Sequence, residues 1–145
     1  MLGIVLIQYK NGIVTGMTDT KTRLSTSWIV VLINMIFADI FSIMVAIQNN
    51  STFPISGDVE IAMAIAAVLT NIPILMIFLS RILPYKANRI VNIIAAIFTV
   101  IYVIGGAGGY FPPHYIIIAA IEVAFLLMII VYSLKWKKPE NGDGK

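Results

Sequence analysis

The sequence predicts an all-α integral membrane protein, with four transmembrane helices in an antiparallel up-down bundle and both termini in the cytoplasm. Composition is the first observation: 59% of the residues are hydrophobic, only 12% are charged, and the mean hydropathy is +0.94. A soluble domain typically has about 25% charged residues. This chain therefore has too little polar surface to cover a globule in water. The other two observations are the spacing of the apolar runs and the placement of the basic residues.

The apolar runs predict four membrane spans. A transmembrane helix needs about 20 predominantly apolar residues, and runs near that length cover about residues 27–48, 59–79, 88–104 and 114–134. The connections NNSTFPISGD, SRILPYKA and GGAGGYFPP contain the glycine, proline or asparagine that ends regular structure. Connections this short make consecutive helices antiparallel neighbours. Residues 25–136 are therefore predicted to form one four-helix transmembrane domain.

All ten basic residues lie on one predicted side of the membrane. By the positive-inside rule, both termini and the middle connection are cytoplasmic. We interpret these basic residues as topology signals whose direct partners are anionic lipid headgroups, not nucleic acid. Trp28 and Trp136, with Tyr85 and Tyr132, are predicted to lie at the membrane interface on the same side. The ten residues are Lys10, Lys21, Arg23, Arg81, Lys86, Arg89, Lys135, Lys137, Lys138 and Lys145.

The two ends of the chain are predicted to lie outside the membrane domain. Residues 1–24 form a cytoplasmic segment, and its first apolar run is too short to span. We favour a translation start at Met17; the alternative is an interfacial segment that turns at Asn11-Gly12. Residues 137–145, KKPENGDGK, are predicted to be a disordered cytoplasmic tail.

Each predicted span carries one hydrogen-bonding side chain near the middle of the membrane. At 1.5 Å of rise per residue, these side chains lie about 15 to 20 Å from the cytoplasmic boundary. The four residues are Asp39, Asn71, Tyr102 and Glu122. Acidic residues inside a membrane span are costly to insert and usually functional. The four are therefore our candidate residues for binding a ligand or a proton.

Small and polar residues share the helix faces of these four candidates. Small residues allow close helix packing in lipid, so we expect the four faces to enclose the polar layer. Ser42, Thr99 and Tyr115 are supporting candidates, and Pro73 is predicted to kink the second helix near the layer. The faces combine Asp39 with Ser42 and Ala46, Asn71 with Ala64 and Ala67, Tyr102 with Asn92, Ala95 and Thr99, and Glu122 with Tyr115 and Ala119. Asn92 and Arg89 are interpreted as boundary residues that snorkel to the interface.

The two carboxyl groups, Asp39 and Glu122, are not both expected to be ionised. No lysine or arginine lies at their depth to neutralise them, and desolvation and mutual repulsion favour the protonated form. We predict that the pair holds at least one proton at pH 7. No metal site and no cofactor is expected, since the chain has no cysteine and a single histidine.

The chain resembles a domain-of-unknown-function family of small prokaryotic four-helix integral membrane proteins. The stretches TRLSTSWIVVLINMIFADIFSIM, MAIAAVLTNIPILMIFLSRILPYKANRIVNIIAAI and PPHYIIIAAIEVAFL carry the likeness, which covers about residues 22–136. The resemblance implies a multi-pass protein of the plasma (inner) membrane of a prokaryote. It implies no activity.

Three classes of function remain open from the sequence. We favour a proton-linked small transporter or lipophilic-ligand-binding bundle that titrates at Asp39 and Glu122. The second class is an intramembrane isomerase or cyclase, with the carboxyls as general acid and base and Tyr102 assisting. The third is a structural or accessory subunit, which predicts close packing with no cavity at the depth of Asp39. A lipophilic small molecule and a second copy of the chain, forming a homodimer, are the open partners.

Overall fold

The structure, a computed structural model, describes residues 2–50, 58–106 and 112–136, with side chains described over residues 19–50, 58–105 and 112–136. Within these ranges there are four α-helices: α1 (Leu2–Gln48), α2 (Val59–Ile82), α3 (Tyr85–Gly106) and α4 (Pro113–Lys135). Each contains a segment long and apolar enough to cross a membrane. The prediction of an all-α chain with four helices of membrane-spanning length is therefore confirmed. The predicted tail, 137–145, lies outside the described residues.

The connection between α2 and α3 is shorter than the sequence predicted. We expected the second span to end near residue 79 and the third to begin near 88, but only Leu83 and Pro84 are non-helical. Leu83 is extended, with φ −63° and ψ 144°, because a residue that precedes proline is disfavoured in helical geometry. The amide of Asn88 then donates to the Pro84 carbonyl at 2.9 Å, which starts α3 at once.

Helix α1 begins well before the predicted span. It is continuous from Leu2, so the alternative turn at Asn11-Gly12 is not formed. No proline or glycine separates Met17 from Ser27, and the polar residues there are compatible with a helix. An exposed ion pair one helical turn apart, Arg23 to Asp19 at 2.9 Å, adds a small local stabilisation. The segment of α1 suited to a membrane is Asp19–Gln48.

The helices form a closed ring of neighbours, in which each packs against the preceding and the following helix and α4 packs against α1. Hydrogen bonds join neighbouring helices at both ends of the bundle. Lys21 donates to the Arg81 carbonyl at 3.2 Å, and Tyr85 donates to the Trp136 carbonyl at 2.7 Å. At the other end of the bundle, the Tyr115 hydroxyl donates to the Val103 carbonyl.

Burial divides the bundle into two halves. The packed half comprises residues 24–35 of α1, 73–82 of α2, 85–96 of α3 and 126–136 at the end of α4. It holds the following fully buried side chains, each less than 2% exposed: Leu24, Ser25, Trp28, Val31, Pro73, Ser80, Asn88, Asn92, Leu126, Ile129 and Ser133. The pocket half comprises residues 38–48, 59–72, 99–105 and 113–122. Its α2 segment contains no buried residue.

Candidate functional site

A pocket in the pocket half brings together residues from α1, α3 and α4. Its cavity volume is about 90 Å³. Four of the predicted candidates line it: Asp39, Tyr102, Tyr115 and Glu122. The remaining described lining residues are apolar: Met35, Ala38 and Val103. The structure therefore joins both carboxyl groups and two phenols around one small cavity.

Glu122 lies at the buried side of the pocket. It belongs to the buried stripe of α4, one turn from Ile118 and one turn from Leu126. Its side chain is only 2% exposed, the lowest value among the buried residues of the pocket half. Its Oε1 atom has no hydrogen-bond partner among the described residues. Buried polar atoms are normally paired, so an unpaired carboxyl oxygen beside a cavity is available to something that enters the cavity.

Asp39 lies at the exposed side of the same pocket. It follows Ala38, which is 7% exposed, but is itself exposed because it lies at the edge of the buried stripe of α1. Its neighbours on the exposed face are apolar, with Ile36 and Ile40 both more than two fifths exposed. The pocket therefore opens beside Asp39 onto an apolar surface of the bundle.

The two tyrosines occupy the remaining polar positions of the pocket. The Tyr115 hydroxyl donates to the Val103 carbonyl, which joins the start of α4 to the end of α3. Tyr102 is half-buried and lines the pocket from α3.

The structure does not bring Asn71 into this site. Asn71 is exposed, and its side-chain amide donates to the Ala67 carbonyl of its own helix at 2.8 Å. Ala64 and Ala67, which we predicted to face the bundle with it, are exposed as well. The face of α2 that is buried begins at Pro73 and continues through Met76 and Ser80. The predicted face of α2 was therefore wrong.

The supporting candidates Ser42 and Thr99 also bond within their own helices. The Ser42 hydroxyl donates to the Ala38 carbonyl at 2.7 Å, and the Thr99 hydroxyl donates to the Ala95 carbonyl at 2.8 Å. Neither lines the pocket, although Ser42 bonds to the residue just before Asp39. Pro73 is fully buried in α2, which continues through it as a helix.

A second polar cluster, in the packed half, was missed by the sequence reasoning. Asn92 accepts hydrogen bonds at Oδ1 from Trp28 Nε1 at 2.7 Å and from Ser80 Oγ at 3.1 Å. Its Nδ2 donates to both the carbonyl and Oδ1 of Asn88, and Asn88 Nδ2 donates to the Ser80 carbonyl at 2.6 Å. All four residues are fully buried. The interpretation of Asn92 as a snorkelling residue was therefore wrong; Trp28, predicted to lie at the depth of the membrane interface, is buried between the helices.

One sequence signal pointed to that cluster. Asn88 and Asn92 are one helical turn apart, and serines recur in the neighbouring spans at Ser25, Ser80 and Ser133. Small polar residues commonly hydrogen-bond between helices in membranes. Two asparagines on one face of an otherwise apolar helix therefore indicate an inward face.

Fold and site together define a class: a helical membrane protein with four apolar helices and a pair of carboxyl groups that line one pocket between them. The chain belongs to the family described as "Family of unknown function (DUF6326)", which matches residues 12–142. This confirms the resemblance to a domain-of-unknown-function family. No curated protein and no solved structure matches the chain.

Proposed function

We propose that this chain is a small proton-linked transporter of a prokaryotic inner membrane, in which the Asp39–Glu122 pair exchanges a proton for a ligand. One observation carries the proposal: the buried Glu122 Oε1 has no partner among the described residues, and Glu122 lines a pocket that Asp39 shares. An ionised carboxylate without a donor or a cation costs several kcal/mol in apolar surroundings. Glu122 therefore holds a proton in the empty pocket and releases it when another positive charge arrives.

The orientation in the membrane is part of the same proposal. Two contacts support an up-down antiparallel arrangement. Lys21, near the start of the apolar segment Asp19–Gln48 of α1, bonds to Arg81 near the end of α2, and Tyr85 at the start of α3 bonds to Trp136 just after α4. With the basic residues on the cytoplasmic side, both termini are cytoplasmic. Anionic lipid headgroups then surround the packed half at its basic end.

The cavity supports a ligand site over a purely structural polar layer. A layer that only fixes the helices predicts close packing at the depth of Asp39 and paired polar atoms. The structure has instead a cavity of about 90 Å³ at that depth and a carboxyl oxygen without a partner. A cavity lined mostly by apolar side chains, with a few polar groups converging on it, is typical of a ligand site.

Infrared difference spectroscopy of the carboxyl bands in lipid nanodiscs tests the proposal. We expect a protonated carboxyl C=O band at pH 7 that is lost on alkaline titration and is absent from Glu122→Gln. Asp39→Asn should shift the titration of that band, because the two groups share one pocket. Glu60→Gln is the matched control: Glu60 is an exposed acid in the first turn of α2. A Glu122 band that stays unchanged between about pH 5 and 9 would overturn the proposal.

An intramembrane isomerase or cyclase is the second candidate function. It is favoured by the unequal surroundings of the two carboxyls, since Glu122 is buried and Asp39 is exposed. A general acid and a general base need environments that differ in this way. Incubation of the protein with a bacterial lipid extract, followed by mass spectrometry, tests it. A time-dependent product that Glu122→Gln does not form would favour this candidate over transport.

A further inference from the structure

The lining of the pocket restricts the charge of its occupant. Its polar groups are the carboxyls of Asp39 and Glu122 and the phenols of Tyr102 and Tyr115; none of the described residues that line it is basic. The described lysines and arginines lie at the basic end of the bundle, in or before the packed half. His114, just before Tyr115, packs against Phe41 and does not line the pocket. An anion would find no counter-charge in this pocket, whereas a cation would find two acids.

The size of the cavity restricts which part of a ligand it can hold. A buried cavity of about 150 Å³ is sufficient for a benzene molecule, and this pocket is smaller, at about 90 Å³. A charged head of a few non-hydrogen atoms fits, but a drug-sized body does not. Any larger part of the ligand must leave through the exposed side, next to Asp39.

The surface outside that opening is apolar. Along α1, Ile36, Ile40 and Ile43 are 47%, 43% and 47% exposed on either side of Asp39. An alkyl or aromatic body lying there would remain in contact with apolar side chains and lipid. The pocket and its surroundings thus match a molecule with a small cationic head and an apolar body.

We propose that the pocket binds the ammonium group of a lipophilic amine between Glu122 and Asp39, with the apolar body along the exposed face of α1. This deepens the proposed function and rests on it, because the ammonium takes the place of the Glu122 proton. The three N–H groups of a primary ammonium have acceptors in Glu122 Oε1, the Asp39 carboxylate and a phenol oxygen. No covalent bond to the amine forms or breaks. The protonated amine binds, the Glu122 carboxylic acid loses its proton, and one H⁺ is released to water.

A metal ion is less suited to the pocket. Magnesium and calcium ions take six or more oxygen ligands, with several carboxylates or bound waters among them. Among the described residues, no group of three histidine, aspartate or glutamate side chains is arranged to hold a metal. A monovalent ion such as Na⁺ is the competing occupant, and the experiment below tests it beside the amine.

Calorimetry with hexylamine tests the proposal in nanodiscs of a zwitterionic lipid that has no primary amine. Titrations in two buffers of different ionisation enthalpy give the number of protons released, and empty nanodiscs give the background of partitioning. We expect saturable binding, release of one proton per amine, and loss of the Glu122 C=O band on binding. Hexanol, which has the same body without the charge, should show background partitioning only. Glu60→Gln should bind hexylamine like the parent protein.

Two pocket variants separate binding from folding. Glu122→Gln should abolish both saturable binding and proton release. Asp39→Asn changes an exposed residue, so it is expected to fold normally and to bind hexylamine about ten-fold more weakly, equivalent to about 1.4 kcal/mol. Unchanged affinity in folded Asp39→Asn would overturn the proposed placement of the ammonium.

The remaining outcomes distinguish this inference from the proposed function. If NaCl removes the Glu122 band and hexylamine does not, the site exchanges protons but the ammonium proposal is overturned. Saturable binding of hexanol with the same affinity as hexylamine would also overturn the ammonium proposal. A second series in nanodiscs containing phosphatidylethanolamine identifies the source of the ammonium. Loss of the band there without added amine would assign the site to a lipid headgroup and overturn the assignment to a free amine.

Discussion

The polar cluster of the packed half and the buried carboxyl of the pocket half differ in hydrogen bonding. In the packed half, the groups of Trp28, Ser80, Asn88 and Asn92 meet one another in a hydrogen-bonded cluster. In the pocket half, Glu122 is almost equally buried, yet its Oε1 atom has no partner in the described part of the chain. Burial is therefore similar in the two halves, and pairing is what differs. Pairing distinguishes groups that hold helices together from groups left available to a ligand.

Ser133 is the exception in the packed half, because its buried Oγ atom also has no described partner. A lone hydroxyl costs far less in apolar surroundings than an ionised carboxylate does. Ser133 therefore needs no ligand to be tolerated, whereas Glu122 needs a proton or a cation. The two unpaired groups therefore differ in the free energy that their burial costs.

The largest expected effect is on Asn92. Asn92→Ala removes the acceptor of both Trp28 and Ser80 and leaves their buried donors unpaired. Each buried unpaired group costs about 1 to 3 kcal/mol, so with two donors left unpaired we expect the free energy of unfolding to fall by about 2 to 6 kcal/mol. Reversible unfolding in mixed micelles measures the change.

Asn71→Ala is the matched control for that substitution. It removes the same amide from an exposed position where the bond is to its own helix. We expect a change within about 0.5 kcal/mol. Equal losses for the two variants would contradict the distinction between the packed half and the exposed face of α2.

A smaller effect is expected for Tyr115→Phe. The change removes the hydrogen bond from the Tyr115 hydroxyl to the Val103 carbonyl but keeps the ring. One neutral hydrogen bond contributes about 1 kcal/mol, so the unfolding free energy should fall by about that amount. Tyr102→Phe should change stability less, because the Tyr102 hydroxyl interacts with the Thr70 side chain and not with a described backbone carbonyl. The reverse order of the two losses would show that Tyr102, not Tyr115, ties the pocket together.

The smallest effect on stability is expected at Glu122. Glu122→Leu replaces an unpaired buried acid with an apolar side chain of similar size. Replacing buried ionisable groups in this way is often neutral or stabilising, so we expect a change of about 0 to 1 kcal/mol toward greater stability. A loss of about 2 kcal/mol or more would show that Glu122 is paired in the membrane and acts as a structural residue.

The sequence predicts the helices well because their signals are local. The lengths of the apolar runs predict four spans. Pro84 marks the connection between α2, which ends at Ile82, and α3, which begins at Tyr85. The depth of each polar residue also follows from counting along a helix. Asp39, Tyr102 and Glu122 therefore meet at one level, as their counted depths predict.

The faces of the helices are harder to predict, because lipid and the protein interior are equally apolar. A soluble helix shows its buried side by contrast with polar residues, but a membrane helix has no such contrast. Asn71 is therefore at the predicted depth but on the wrong side of α2. For Asn92 the prediction failed in the other direction. Its position three residues after Arg89 indicated the membrane boundary, but packing against Trp28 buries it inside the bundle.

The two-residue joint at Leu83 and Pro84 has a consequence for how the protein is made. Only two residues connect α2 and α3, which is too short for one helix to enter the bilayer while the other stays well away from it. We therefore expect them to insert together, as a single helical hairpin whose tip carries Arg81, Lys86 and Arg89. A glycine-rich extension of the joint would uncouple the two insertions. Its effect would fall on biogenesis, and it would leave the finished pocket unchanged.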